Sequence, residues 1–217
     1  MNIAQYIDHT ALSPSTTFAD IDLLCTEAKA YHFKAICVPP YYVAYAKKQI
    51  ESSSVLLSTV IGFPFGYGSV NAKLEEIKIA ISEGVDELDF VINICAVRNG
   101  DWNCLEREIV NCLQPIRLNR KIIKIIIESG TIFDEGIIDC CKLYAKHKVD
   151  FLKTSTGFAK NGADVHAVKL MRENLPEEIK IKASGGIRTF AFAKELIEAG
   201  ATRIGTSASV AIINHNS

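Results

Sequence analysis

The chain has 217 residues, 48% of them hydrophobic, which is enough to bury one substantial core and close to the length at which α/β barrels begin. Its 24 basic and 25 acidic side chains leave a formal charge of -1, which excludes an electrostatic surface for nucleic acid or an anionic membrane and favours a small-molecule partner. The N-terminal segment lacks a signal-peptide pattern and no apolar run approaches the ~18 residues of a spanning helix, so we expect a cytoplasmic protein.

Eight short runs rich in Val, Ile and Leu alternate with segments in which apolar residues recur three and four positions apart. The runs predict strands, and the segments between them predict helices that each lay one apolar stripe on a sheet. In chain order the predicted strands cover residues 6–10, 35–39, 56–61, 87–92, 122–128, 151–155, 179–184 and 203–206. Asp164 is predicted to begin one of the later helices, and Gly200 to follow the end of another.

Eight consecutive strand-and-helix units predict a single (β/α)8 TIM barrel of the α/β class, formed as one domain by residues 1–217. The alternative is an open, doubly wound sheet. It is disfavoured because no GxGxxG turn follows the first predicted strand, and because no linker or low-complexity segment divides the chain.

Four charged residues lie inside otherwise apolar predicted strands: Asp89, Lys124, Lys153 and Lys182. A buried charge is costly unless it is paired or used, and in a barrel the carboxyl ends of the strands face the pocket. One interpretation is a buried ionic network, in which these lysines pair with Asp89 and Glu128 and only stabilise the barrel interior. The other interpretation is a catalytic site.

Lys153 and Lys182 favour the catalytic interpretation because they occupy similar places in consecutive strands, 29 residues apart, each followed by small hydroxyl and glycine residues. A lysine must be neutral to attack a carbonyl, yet with an ordinary pKa of ~10.4 only about 1 in 2500 is neutral at pH 7. Partial burial and a neighbouring ammonium both lower the pKa of a lysine. We therefore expect Lys153 to be the nucleophile and Lys182 the cation that lowers its pKa, although spacing alone leaves the reverse assignment open.

Small residues follow the last two predicted strands. Ser184, Gly185 and Gly186 come after the seventh strand, and Gly205 and Ser207 come after the eighth. In α/β barrels this is where backbone N–H groups commonly bind a phosphate, although glycines after strands can also be turn formers only. The sequence thus predicts a phosphorylated small molecule as the ligand.

Several segments resemble the deoxyribose-phosphate aldolase family over nearly the whole chain: DHTAL at 8–12, AICVPP at 35–40, ELDFVIN at 87–93, FLKTSTGF at 151–158, KASGGIR at 182–188 and GTSAS at 205–209. The resemblance implies reversible cleavage of 2-deoxy-D-ribose 5-phosphate to acetaldehyde and D-glyceraldehyde 3-phosphate, in deoxyribose phosphate and deoxyribonucleotide catabolism, without a cofactor. It also implies that Lys153 forms a Schiff base, that Lys182 lowers its pKa and that Asp89 transfers protons. The same likeness implies a homodimer.

The resemblance extends the expected site to four further strand residues. Asp8 and Thr10 match residues that contact the proton relay or a substrate hydroxyl, although a structural hydrogen bond at the strand end is the alternative. Cys37 matches a pocket cysteine that aldehyde can modify. Lys124 matches an interior lysine that is expected to position Asp89 rather than to react.

Thr154 and Gly157, in the motif that carries the reactive lysine, are expected to contact the substrate. The sequence departs from the family directly after Gly157, because many relatives place a lysine near the phosphate whereas Phe158 stands here and the nearest lysine is Lys160. Phosphate binding is therefore expected to rely on backbone amides. Arg188 is expected either to add charge from behind the loop or to lie on the surface.

The last four residues, 214–217, contain no tyrosine of the kind that some relatives fold into the pocket, so turnover or substrate range is expected to differ. Two other functions stay open. One is another Schiff-base sugar-phosphate aldolase or a transaldolase-like barrel, which would share Lys153 but bind a ketone donor. The other is a phosphosugar-binding barrel without catalysis.

The five histidines show no clustered ligand pattern, and the seven cysteines are odd in number without a CxxC pair. We therefore expect no metal site, and reduced, mostly buried thiols. A chelator such as EDTA is expected to leave the rate unchanged in a steady-state aldolase assay. Inhibition that an added divalent cation reverses would contradict this expectation.

Overall fold

The computed structural model describes residues 2–214 and contains a closed barrel of eight parallel strands in the order β1 to β8, with β8 paired to β1. The fold expected from the sequence, a (β/α)8 TIM barrel, is confirmed. The strands are β1 (Ile7–Thr10), β2 (Ala35–Val38), β3 (Leu56–Ile61), β4 (Glu87–Val91), β5 (Ile122–Ile126), β6 (Phe151–Lys153), β7 (Lys180–Ser184) and β8 (Arg203–Thr206).

Helices follow every strand and cover the outside of the barrel. They are α1 (Phe18–Ala30), α2 (Val43–Ile50), α3 (Val70–Ser82), α4 (Ile94–Arg98), α5 (Trp102–Leu118), α6 (Asp134–Lys146), α7 (Val165–Asn174), α8 (Phe190–Glu198) and α9 (Ser209–Asn214). Short 3-10 turns form at Ile3–Tyr6, Pro40–Tyr42 and Ser129–Thr131. None of the helices within residues 2–214 is both long and apolar enough to cross a membrane.

The helix ends follow the local sequence. The Thr17 side chain and the Asp20 carboxylate form a reciprocal capping box at the start of α1. Asp164 accepts hydrogen bonds from two backbone N–H groups of α7, and Gly200 takes a left-handed conformation, with φ +119°, just after α8. The predicted start at Asp164 and stop at Gly200 are both confirmed.

Several strands are shorter than predicted, most clearly at their carboxyl ends. β5 stops at Ile126 rather than at residue 128, because Glu128 takes a left-handed conformation with φ +50° that leaves the sheet. β6 stops at Lys153 rather than at residue 155. The backbone N–H of Ser129 donates to the carbonyl of Thr154, so the two strand ends stay together as they turn into the loops of the barrel mouth.

Apolar and polar residues alternate along the strands, as the two faces of a barrel require. Ile36, Leu57 and Leu88 are fully buried against the helices. The alternate positions point into the barrel, and there Ser58 and Asp89 are also fully buried, within hydrogen-bond distance of each other at 3.1 Å. The polar side chains that define the site therefore come from the inner face of the strands.

A buried ion pair joins the outer helices to β4. The Lys73 Nζ lies 2.5 Å from Glu108 Oε1 and donates to the Val91 carbonyl at 2.7 Å, while Glu108 Oε2 accepts from the Asn93 N–H at 3.1 Å. Both charged side chains are buried. The pair thus holds α3 and α5 against the end of the strand that carries Asp89.

Replacement of Lys73 by methionine should destabilise the fold by about 3–5 kcal/mol, because it leaves the Glu108 carboxylate buried without its cation. Urea unfolding would measure the loss, and the double change Lys73→Met with Glu108→Leu should recover much of it. Lys78→Met, which removes a surface ion pair of the same helix, is the control and should change stability little. A Lys73→Met protein as stable as the parent would contradict the prediction.

Candidate active site

Seven charged side chains from six strands meet inside the barrel, and we call them the interior charge cluster. Four are basic and three are acidic: Lys124, Lys153, Lys182 and Arg203 with Asp8, Glu87 and Asp89. All are buried. Strand alternation points them all into the barrel although they are far apart in the sequence.

Asp89 occupies the centre of the interior charge cluster. One carboxylate oxygen, Oδ2, lies 2.7 Å from Lys153 Nζ and 2.7 Å from Lys182 Nζ, while Oδ1 lies 2.8 Å from Lys124 Nζ. Burial alone would raise the pKa of Asp89, but the three ammonium groups hold it well below its usual range. The carboxylate therefore stays ionised and can accept a proton from a neighbouring group.

The rest of the cluster alternates positive and negative charge. Asp8 contacts Lys182 and accepts from Arg203 Nε at 2.7 Å. Arg203 and Lys124 both reach Glu87, at 2.7 and 2.6 Å. Sequence reasoning missed Glu87 and Arg203, although Glu87 lies two residues before Asp89 and so shares its strand face.

The two lysines on β6 and β7 have pKa values shifted in opposite directions. Burial lowers the pKa of Lys153, which is 3% exposed, and the charge of Lys182 lowers it further, while Asp89 opposes both. Burial also acts to lower the pKa of Lys182, but the carboxylates of Asp8 and Asp89 outweigh it and raise that pKa. The geometry thus favours Lys153 over Lys182 as the neutral amine.

From the sequence, burial and the charge of Lys182 were both expected to lower the pKa of Lys153. Both act in that direction, and burial is the larger cause. The net charge of the cluster also favours a lower pKa for Lys153. The cluster holds one more basic than acidic side chain, so a neutral Lys153 makes the numbers of positive and negative charges equal. The repulsion itself is present, since both amines share one Asp89 oxygen.

A pocket of about 230 Å³ opens above Lys153 at the carboxyl ends of the strands. Its wall holds seven of the predicted substrate-contacting residues: Thr10, Gly157, Ser184, Gly185, Gly186, Gly205 and Ser207. Thr10, Ser184 and Gly205 are the last or second-last residues of their strands, and the other four lie in the loops after β6, β7 and β8. The glycine loops that were predicted to bind phosphate therefore surround one cavity together with Lys153.

Four other predicted substrate-contacting residues lie beneath that wall: Asp8, Cys37, Lys124 and Thr154 are all buried. Thr154 Oγ1 donates to the Ser184 carbonyl at 3.2 Å and accepts from the Ser184 N–H at 3.1 Å, so it ties β6 to β7. None of the four is part of the pocket wall, so their expected part in the site, including the support of Asp89 by Lys124, stays a prediction.

The residues expected to differ from the family also have defined positions. Phe158 lies on the pocket wall and meets the Phe63 ring edge-on, with centroids 5.2 Å apart. Arg188 is exposed and lines the pocket, whereas Lys160 is not part of the wall. The expectation about the chain end concerns residues 214–217, of which 215–217 lie outside the described residues.

The family model for DeoC/LacD family aldolases matches residues 2–215. The chain belongs to this aldolase family. It is 47% identical over 215 residues to the deoxyribose-phosphate aldolase of Caldicellulosiruptor saccharolyticus, which covers 99% of this chain and 98% of that one. It is 45% identical over 214 residues to the deoxyribose-phosphate aldolase of an Exiguobacterium species, at 98% and 96% coverage.

A solved structure agrees with the sequence comparisons. The deoxyribose phosphate aldolase of Aeropyrum pernix, described as a tetramer, superposes on the present chain with a TM-score of 0.92 and 30% sequence identity. The match covers 99% of this chain and 90% of the other. The fold and the family therefore agree over the whole described barrel.

Replacement of Lys182 by leucine should move the acidic limb of the aldolase pH profile to higher pH. Only the deprotonated Lys153 attacks a carbonyl, and the Lys182 charge lowers its pKa, so removal of that charge raises the pKa and demands a higher pH for the same neutral fraction. We expect a shift of about one pH unit in kcat/KM.

The control for this change is Lys180→Leu, which removes an exposed lysine from the same strand and should leave the profile in place. Circular dichroism would verify that both variants are folded. An unshifted profile in Lys182→Leu would show that its charge does not influence the nucleophile.

Proposed function

We propose that the chain is a class I aldolase that reversibly cleaves 2-deoxy-D-ribose 5-phosphate to acetaldehyde and D-glyceraldehyde 3-phosphate through a Schiff base on Lys153. The observation that carries the proposal is the buried Lys153 amine beneath the pocket, with a lowered pKa and an ionised carboxylate 2.7 Å away. The names of the relatives supply the substrate.

The reaction begins with attack of the neutral Lys153 amine on the aldehyde carbon, C1, of the open-chain sugar. Loss of water from the resulting carbinolamine gives a protonated imine. This cation withdraws electrons from the bond between C2 and C3, so a base that removes the C3 hydroxyl proton breaks that bond. D-glyceraldehyde 3-phosphate leaves, the enamine on Lys153 gains a proton at C2, and water releases acetaldehyde.

The interior charge cluster suits both halves of this cycle. Before reaction a neutral Lys153 balances the cluster, and after imine formation the new positive charge is stabilised by Asp89. Lys182 opposes an excess of positive charge at the same place, which favours collapse of the imine to the neutral enamine. Asp89, held ionised by its lysines, is the proposed proton acceptor.

The phosphate is proposed to bind between the glycine loops, at the far side of the pocket from β4. The loops approach closely there, since a Cβ on Gly162 would lie 2.3 Å from the Gly185 carbonyl oxygen. Arg188 supplies a cation on the same part of the wall. Backbone amides and this arginine take the place of the lysine that Phe158 replaces.

Two alternatives predict different products. A transaldolase-like barrel would share the imine but transfer a dihydroxyacetone unit, whereas the proposed enzyme releases acetaldehyde from 2-deoxyribose 5-phosphate. A phosphosugar-binding barrel without catalysis would form no imine at all. Product analysis therefore distinguishes the transaldolase-like barrel from the proposed aldolase, and covalent trapping distinguishes the non-catalytic barrel from it.

Reduction with borohydride in the presence of acetaldehyde should attach an ethyl group to Lys153, because the reagent reduces the imine to a stable amine. Mass spectrometry of the peptide that holds Lys153 would locate it. Lys153→Ala should abolish the adduct and the cleavage of 2-deoxyribose 5-phosphate, while Lys160→Ala, which removes an exposed lysine outside the pocket wall, should retain both. An adduct that persists in Lys153→Ala would disprove the assignment.

We also propose a cytoplasmic homodimer. None of the seven cysteines forms a disulfide, which suits a reducing compartment. The Aeropyrum pernix relative is described as a tetramer. A dimer of the present chain would therefore differ from that relative in its number of subunits. Light scattering on purified protein would give the mass of the assembly.

A further inference from the structure

Glu128 has an unusual backbone for its position. Among residues 2–214, four residues other than glycine have positive φ angles: His32, Arg120, Glu128 and Lys148. The other three are exposed and lie just beyond the ends of α1, α5 and α6, where a left-handed residue commonly ends a helix. Glu128 is buried and follows a strand at the barrel mouth, where strained backbone is often functional.

The side chain of Glu128 is equally constrained. Its carboxylate is 2% exposed and accepts from the Thr156 N–H at 3.3 and 3.2 Å and from the Thr156 hydroxyl. No Lys, Arg or His nitrogen within residues 2–214 lies within ion-pair distance of it. Burial raises the pKa of Glu128, while the hydrogen bonds from Thr156 and, more weakly, the charge of Lys153 lower it. Three hydrogen bonds to one residue are thus the main compensation that the fold provides.

Thr156 passes this constraint to the pocket wall. Its hydroxyl donates to Glu128 and accepts from the Phe158 N–H at 3.1 Å, which closes the turn over residues 156–158. Gly157 stands in the middle of the turn with φ +87°, and all three residues line the pocket. Since both donors of Thr156 point to Glu128, the carboxylate determines the direction of this turn.

The turn over residues 156–158 packs against the loop after β7, which contains Gly185. A Cβ on Gly185 would lie 3.4 Å from the Gly157 Cα and 3.3 Å from the Ser155 Cβ, so the two loops pack backbone to backbone. Gly185 belongs to the loop proposed to hold the phosphate. A shift of the turn over residues 156–158 would therefore change the shape of the anion site without changing Lys153.

We propose that Glu128 is a positioning residue for the phosphate end of the substrate. Its carboxylate fixes the turn over residues 156–158, and through that turn the Gly185 loop, without itself contacting the substrate. Glu128 is not part of the pocket wall. The inference rests on the proposed function for the identity of the substrate, although its anion-binding part can be tested alone.

The test compares Glu128→Gln with Thr156→Val, two changes of similar shape that each remove hydrogen bonds between the same partners. Both should raise KM for 2-deoxyribose 5-phosphate about tenfold with a smaller change in kcat. In Glu128→Gln, which leaves the pocket wall itself unaltered, kcat/KM for unphosphorylated 2-deoxyribose and the acetaldehyde adduct on Lys153 should stay nearly unchanged. Glu135→Gln, which removes an exposed acid from α6, is the charge-matched control and should behave as the parent.

Binding of inorganic phosphate, measured by calorimetry, provides a readout that does not depend on catalysis. Glu128→Gln should weaken it about tenfold. If the parent protein forms no acetaldehyde adduct, the proposed function fails, yet the phosphate affinities still decide the role of Glu128. Unchanged KM and phosphate affinity in Glu128→Gln would overturn the inference, and so would an equal loss of efficiency toward both sugars, since that indicates general structural support. Thr156→Val tests the same contact if Glu128→Gln does not fold.

Discussion

The Asp89 carboxylate joins the two lysines on which the proposed chemistry depends, with one oxygen 2.7 Å from each amine. A barrel interior offers little water, so every buried charge there needs an opposite charge or a change of protonation state. Asp89 is anchored by Lys124 from the other side, and the chain of contacts continues through Glu87 and Arg203 to Asp8. The interior charge cluster is therefore one electrostatic unit, and the state of each member depends on the others.

Within this unit, the position of each lysine determines the direction in which its pKa is shifted. Lys182 lies between two carboxylates and keeps its proton, whereas Lys153 has only Asp89 as an ion-pair partner within the described residues. Burial then shifts Lys153 toward its neutral form, and the excess of one basic group in the cluster acts in the same direction. In the proposed reaction, the positive charge of the protonated imine on Lys153 lies where the cluster can stabilise it. The same cluster that surrounds the Lys153 amine would therefore also support the imine.

The loops at the barrel mouth add a second level of organisation. The close backbone contact of Gly162 with Gly185 leaves no room for a side chain at Gly162 between the loops after β6 and β7. This contact involves no charged groups. In our proposal it depends on the turn over residues 156–158, which Glu128 holds from the loop after β5. Lys153 and the proposed anion site are thus supported by separate contacts, which are ionic in the interior and hydrogen-bonded at the mouth.

Local sequence patterns determined the eight strand-and-helix units and the barrel, because strand alternation and helical periodicity depend on near neighbours. They also singled out Asp89, Lys153, Lys182 and the glycine loops, since charges and glycines at strand ends are conspicuous in an apolar background. The tertiary structure alone decided which lysine has the lowered pKa, because the partners of Lys182 come from strands 93 and 174 residues away. It likewise revealed Glu87, Arg203 and the Glu128 contact, and it placed Asp8, Cys37, Lys124 and Thr154 beneath the pocket. A pKa and a contact depend on distances through space, and those distances exist only once the barrel has closed.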